Sequence, residues 1–200
     1  MTRIKYCGIK ENTDIDVINR IRPDYIGFVF WQKSRRNIDE DTAGIIGKKL
    51  DPSILKVGVF VDEDVKVVAG LLNKGIIDIA QLHGNEDEAY IAGLRELSDK
   101  DIIKAVKIKE KDDVAGALKC SADLVLLDAG MGDGRTFEWS WLEKFDRPYI
   151  LAGGLDPSNV RDAVEKLHPY GVDVSSGIET DGCKDISKME AFAEAVRREK

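Results

Sequence analysis

The sequence predicts a single-domain (βα)8 barrel, an α/β fold, over residues 1–200. Three observations point there. Short apolar runs recur at fairly regular spacing, helix-length amphipathic segments fill most gaps, and polar or glycine residues gather just after the runs. An open doubly wound sheet shares the first two features, but eight repeats favour closure.

The runs are Ile4–Cys7, Tyr25–Phe30, Lys56–Val61, Ile76–Leu82, Ile102–Ile108, Leu124–Leu127, Tyr149–Ala152 and Gly171–Val174. Each is short and apolar, most are rich in β-branched residues, and most are bounded by Gly, Asp, Ser or Pro, as buried strands are. Helices are expected between them. Thr13–Ile21 carries Asp14 and Asp16 in its first turn, where the helix dipole favours anions. Asp39–Leu50, Asp64–Lys74, Asp87–Leu97, Asp112–Lys119, Ser158–Leu167 and Asp185–Arg198 follow, several opening on a capping residue. The stretch Trp139–Lys144 has room for one or two turns. No linker or composition break divides the chain.

Composition narrows the function classes. Apolar residues make up 43% and charged residues 34%, an ordinary globular balance with enough Ile, Leu and Val for a core. Thirty basic against 37 acidic side chains leave a net charge of −7. That sign disfavours nucleic acid or an anionic membrane as partner, yet leaves room for a small phosphate ligand at a local site. Arg3, Lys5 and Lys10 interrupt any apolar leader, and no window approaches the ~18 apolar residues of a membrane span. Cys7, Cys120 and Cys183 are odd in number and widely spaced, which suits reduced thiols in a cytoplasmic protein. The two histidines, His83 and His168, show no metal-ligand spacing.

In a barrel the carboxyl ends of the strands share one face, where active sites lie. Cys7 and Gly8 follow the first run, Ser34, Arg35 and Arg36 the second, and His83 and Gly84 the fourth. Asp128 ends the sixth, Gly153 and Gly154 follow the seventh, and Ser175, Ser176 and Gly177 the eighth. Glycine lets backbone N–H groups approach a ligand, and the last two loops of a barrel with a helix start form a common phosphate site. Strand alternation puts Lys5 on the side of Cys7, where an ammonium favours the thiolate. Asp173 has matching parity in the last strand, so an interior Lys5–Asp173 ion pair is expected beneath the site. Asp128 leaves a very apolar strand, and desolvation there would raise its pKa toward that of a general acid. One of Arg35 and Arg36 can grip a substrate carboxylate; the other suits a surface ion pair. His83 is a candidate substrate contact. Gly130, Gly132 and Gly134 lack dinucleotide-binding spacing and read as a flap.

These residues, in this order, resemble the phosphoribosylanthranilate isomerases of tryptophan biosynthesis. The likeness runs through Ile4-Lys5-Tyr6-Cys7-Gly8-Ile9, Gly27-Phe28-Val29-Phe30 with Ser34-Arg35-Arg36, Val57-Gly58-Val59-Phe60, and Gln81-Leu82-His83-Gly84. It continues with Leu126-Leu127-Asp128, Phe137-Glu138-Trp139, Leu151-Ala152-Gly153-Gly154-Leu155, and Val172-Asp173-Val174-Ser175-Ser176-Gly177-Ile178-Glu179 with Gly182 and Lys184-Asp185. The resemblance implies a (βα)8 barrel that performs an Amadori rearrangement on a phosphorylated aminosugar. It implies Cys7 as general base, Asp128 as general acid, Arg36 on the anthranilate part, and backbone after strands seven and eight on the phosphate. The substrate's own nitrogen serves as electron sink, so no cofactor is called for. The flap departs from the family: Gly132-Asp133-Gly134 stands where many members carry a small hydroxyl residue between the glycines. A monomer or a homodimer is compatible with the sequence.

Two rivals share parts of this pattern. The histidine-pathway sugar isomerase does the same chemistry with an aspartate base near the chain start, where this chain has Cys7. A non-catalytic phosphate sensor on a barrel needs neither an acid nor a base.

Overall fold

A computed structural model describes residues 1–128, 139–142 and 145–198. Eight parallel strands close in sequence order, the last pairing with the first. They are β1 (Arg3–Cys7), β2 (Tyr25–Val29), β3 (Leu55–Phe60), β4 (Ile79–Leu82), β5 (Ile102–Lys107), β6 (Leu124–Asp128), β7 (Tyr149–Ala152) and β8 (Gly171–Val174). The outer ring holds α1 (Ile15–Ile21), α2 (Glu40–Gly47), α3 (Val65–Asn73), α4 (Glu88–Leu97), α5 (Lys111–Lys119), α6 (Val160–Leu167) and α7 (Ile186–Arg197). A 3-10 turn at Trp139–Leu142 lies between β6 and β7, and a hairpin of β9 (Glu179–Thr180) and β10 (Cys183–Lys184) follows β8. The expected flap at Gly130–Gly134 lies outside the described residues.

Aspartate starts most of the helices. Asp14, Asp39, Asp64, Asp87 and Asp185 each accept a hydrogen bond from a backbone N–H of the first turn. This satisfies donors that the helix leaves unpaired and sets an anion at the positive end of its dipole. Asp14 is therefore the cap of α1, one position outside the first turn that the sequence suggested. In α5 the cap is Glu110, and Asp113 reaches back to accept from the Lys109 and Glu110 N–H groups. Asn159, not Ser158, caps α6.

All eight apolar runs contain strands. The fourth overreaches: Ile76 and Ile77 donate their N–H groups to the Leu71 carbonyl, closing α3, before β4 begins. Their side chains pack in the layer between helices and barrel, which burial alone cannot tell from a strand. A second, smaller cluster fills the barrel itself, including Tyr25, Val57, Ile79, Ile103, Leu126 and Ile150. Cys7, Val29 and Val59 form a further apolar group toward the carboxyl ends. The barrel is thus plugged below and open above, and the open end carries the polar residues.

Candidate active site

The carboxyl ends of the strands surround a cavity of about 590 Å³. Nine residues singled out from the sequence line it: Cys7, Arg36, His83, Asp128, Gly153, Gly154, Ser175, Ser176 and Gly177; Lys5, Gly8, Arg35 and Gly84 are not among its lining. Cys7 ends β1 and Asp128 ends β6, with β7 and β8 between them in the barrel wall.

Lys5 and Asp173 form the floor beneath Cys7. They are register partners on β1 and β8, and Lys5 Nζ donates to Asp173 Oδ1 at 2.9 Å. The Lys5 side chain is only 1% exposed, so its charge depends on this partner. Burial pulls the Lys5 pKa down, but Asp173 and then Cys7 outweigh it and leave Lys5 above its ordinary value. The Cys7 thiol goes the other way from the sequence expectation. Burial pushes it up, the Lys5 ammonium only partly offsets that, and the net shift is upward. Lys5 favours the thiolate, as parity suggested, without making it the resting form.

Glycine makes room for the sulfur. Gly27 is the register partner of Cys7 on β2, and a Cβ there would stand 2.9 Å from Cys7 Sγ and 3.2 Å from Lys5 Nζ. The loops after β7 and β8 also meet through a glycine: a Cβ on Gly177 would fall 1.9 Å from the Leu155 carbonyl oxygen. Gly153 and Gly154 have φ of 95° and 67°, the left-handed region that favours glycine. Ser175 Oγ donates to the Cys7 carbonyl at 3.1 Å, tying the end of β8 to that of β1.

Arg36 is held by Glu179, a residue with no role assigned from the sequence. Its Nε and Nη2 donate to the two oxygens of Glu179 at 2.7 and 2.8 Å. Glu179 also accepts from Arg35 Nη2 at 2.8 Å and Lys184 Nζ at 2.9 Å. Arg35 and Arg36 therefore share one carboxylate, and that carboxylate occupies the Nε–Nη2 edge of Arg36. Among the described residues, Nη1 has no partner and is the end left for a ligand. The Arg36 side chain also lies against Gly8, whose φ is 78° and where a Cβ would come within 2.3 Å of Cδ. Burial alone would raise the Glu179 pKa, but hydrogen bonds from Arg36 and Lys184 hold it at about 2.

On the far wall, His83 Nε2 lies 3.2 Å from Asp128 Oδ2, and Gln81 Nε2 lies 3.1 Å from His83 Nδ1. The loop carrying His83 is clamped by Glu86, which accepts from the Asp62 and Gly84 N–H groups and pairs with Lys104 at 2.9 Å. Among the described residues, no cluster of three or more His, Cys, Asp or Glu side chains could hold a metal. Nor, among them, is any helix long and apolar enough to cross a membrane.

A sequence profile of N-(5'-phosphoribosyl)anthranilate (PRA) isomerases matches residues 4–195. The chain belongs to that family. The isomerase of Endomicrobium trichonymphae is 43% identical over 94% of this chain and 95% of its own. That of Clostridium acetobutylicum is 42% identical over 99% of both chains. Among solved structures, phosphoribosyl anthranilate isomerase from Thermotoga maritima superposes with a TM-score of 0.90 at 34% identity, covering 98% of this chain and 99% of that one. A phosphoribosyl anthranilate isomerase crystallised with reduced 1-(o-carboxyphenylamino)-1-deoxyribulose 5-phosphate gives 0.88 at 34% identity, with the same coverage.

Glu179, Lys184, Gln81 and Gly27 are neighbours at this family's site that entered the sequence reading only within the resemblance motifs, with no role assigned. Gly27 carried the best available signal, a glycine inside a strand run, which marks a close approach.

Two predictions follow from these contacts. Replacing Lys5 with Met removes the ammonium and leaves Asp173 unpaired, and both changes disfavour the thiolate. The Cys7 pKa, read from thiolate absorbance against pH, should rise; an unchanged value would remove Lys5 from this role. Glu179 is depressed from an unfolded value near 4.5 to about 2, so its contribution is complete above 4.5 and is lost as pH falls toward 2. Its side chain is 5% exposed, and the shift corresponds to about 3 kcal/mol. Glu179→Gln should lower stability by roughly that amount at neutral pH, raise KM, and flatten the stability curve between pH 4.5 and 2 in denaturant titrations.

Proposed function

We propose that the chain isomerises N-(5'-phosphoribosyl)anthranilate to 1-(o-carboxyphenylamino)-1-deoxyribulose 5-phosphate, with Asp128 as general acid and Cys7 as general base. The carrying observation is that a thiol and a carboxyl from separate arcs of the barrel line one cavity, whose wall also includes the glycine loops after β7 and β8. Family membership and the ligand of the crystallised relative support the substrate and its place in tryptophan biosynthesis.

The chemistry proceeds by two proton transfers. Neutral Asp128 gives its proton to the ring oxygen of the furanose. The C1′–O bond breaks to that oxygen, and the nitrogen lone pair closes a C1′=N bond. The resulting iminium makes the C2′ proton acidic. The Cys7 thiolate takes it, the C–H electrons form C1′=C2′, and the iminium electrons return to nitrogen. The enolamine tautomerises to the ketone. The substrate's nitrogen lends its lone pair in ring opening and takes it back when C2′ is deprotonated, so the residues carry only protons and position.

Position comes from both ends. The backbone of Gly153, Gly154, Ser176 and Gly177 suits a phosphate, with left-handed glycines and a nearby helix start. Nη1 of Arg36 suits the anthranilate carboxylate. Holding both ends keeps C1′ and C2′ between acid and base. The Thermotoga maritima relative is dimeric and has been solved as monomers; this chain is a monomer or a homodimer. The three free cysteines fit the reducing cytoplasm.

The reactive form pairs a thiolate with a neutral carboxyl. Carboxyls ordinarily titrate near 4 and thiols near 8.5, and burial raises Cys7 further. The reactive form is then the minor one. Below the carboxyl's pKa each unit costs tenfold in thiolate; above the thiol's, each costs tenfold in neutral acid. The pH–rate profile is expected to be a bell whose lower limb belongs to the carboxyl and whose upper limb belongs to the thiol. Cys7→Ser and Asp128→Asn should each keep the fold and lose about 10² to 10⁴ in kcat. The assay is the fluorescence lost when freshly prepared phosphoribosylanthranilate is turned over. Wild-type rates in either variant would refute that residue's role; a phosphate-induced thermal shift with no turnover by the native chain would favour a sensor.

A further inference from the structure

Gln81 is fully buried in β4 and lines the cavity, yet among the described residues its Oε1 atom has no hydrogen-bond partner. Its Nε2 faces His83 Nδ1, and His83 Nε2 faces Asp128 Oδ2. Each orientation of the Gln81 amide implies its own proton count. With the amide N–H₂ donating to Nδ1, that ring nitrogen is bare, the ring proton sits on Nε2, and it donates to a carboxylate. The His83–Asp128 pair then holds one proton, and Asp128 has none to give. A half-turn of the amide exchanges its oxygen and nitrogen within the same envelope. Oε1 then accepts from Nδ1–H. The pair now holds two protons: one on Nδ1, and one shared between Nε2 and the Asp128 carboxyl.

We propose that Gln81 is the positioning residue of the general acid: its Oε1 accepts from His83 Nδ1–H, and so stabilises the two-proton state from which Asp128 delivers a proton to the sugar ring. This deepens the reading of Asp128 as the acid and rests on it. The turned amide gives Oε1 a donor, while the Nε2 hydrogens take over the position that has no partner among the described residues, so the choice rests on the proton count. The proton moves along Nε2···Oδ2 and from the carboxyl to the ring oxygen, so no other reactant takes part. His83 is accordingly a carrier of the acid's proton as well as a wall of the substrate cavity.

Among the described residues, the charged groups near this pair are these. Lys107 on β5 is the register partner of Asp128, and Ala152 is its uncharged partner on β7. The other titratable or charged side chains lining the cavity are Cys7, Arg36, Asp156 and Asp173. Gln81 is the uncharged group bonded to the far ring nitrogen, so it can set the tautomer without adding charge to the site.

Long-range ¹⁵N–¹H spectra of the labelled enzyme read the tautomer directly. The chain has two histidines, and His168→Asn leaves His83 as the single imidazole signal. A protonated Nδ1 across the pH range of turnover is the expected result. A bare Nδ1, with the proton confined to Nε2 over that range, overturns the proposal. Gln81→Met keeps the bulk and removes the acceptor. Its plateau kcat/KM should fall about tenfold, and the lower limb of the pH profile should move down by about one unit. Activity lost with that limb unmoved would show that Gln81 only packs, and would also overturn the proposal. The spectra do not depend on catalysis, so an active Asp128→Asn would strike the assignment of the acid and leave the tautomer result standing by itself.

Discussion

A buried ammonium facing a buried carboxylate in the barrel floor is the constraint on which the site depends. Lys5 and Asp173 are register partners across the seam where β1 meets β8, so their contact exists because the barrel closes there. Neither charge is tolerable alone at that depth, since removing one partner of a buried pair typically costs about 3–5 kcal/mol. The same pair sets the field under Cys7. Closure of the fold thus creates the contact of 2.9 Å that sets the electrostatics under Cys7.

A second set of contacts ties loops that are far apart in sequence. Glu179 binds Arg35 and Arg36 from the loop after β2 and Lys184 from its own hairpin. Lys184 Nζ also donates to the Ser175 carbonyl, and Ser175 Oγ to the Cys7 carbonyl. A chain of hydrogen bonds thus runs from Arg36 to the end of β1. Aligning the arginine and aligning the strand that bears the thiol are parts of one arrangement, and that is how long flexible side chains hold a geometry fit for binding.

The sequence made the scaffold readable because strand burial, aspartate caps and residue parity are local signals. Ile4–Cys7 and Gly171–Val174 announce strands, and parity, together with the adjacency of first and last strands in a closed barrel, placed Lys5 with Asp173. Ile76 and Ile77 misled because a buried loop residue and a buried strand residue look alike in one dimension. Glu179 could not be assigned, since its partner Arg36 is 143 positions away and ion pairing has no period. Gln81 was similarly opaque: its importance lies in which atom faces which ring nitrogen. The direction of the Cys7 shift was out of reach for a different reason. It is a contest between burial and a neighbouring charge, and a sequence names the charge but not the depth.

That contest has a chemical use. A thiol held above its ordinary pKa is scarce as thiolate, but the thiolate that forms is a stronger base toward carbon. In the proposed mechanism, proton abstraction from C2′ is carbon chemistry and would gain from that basicity, whereas a surface thiolate would be more abundant and weaker. Lys5 limits the scarcity without abolishing burial, because its attraction offsets only part of the desolvation. An arginine or a second lysine beneath the sulfur would drive the thiol toward full ionisation and give up basicity. One buried ammonium, itself tied to Asp173, keeps the base between those extremes.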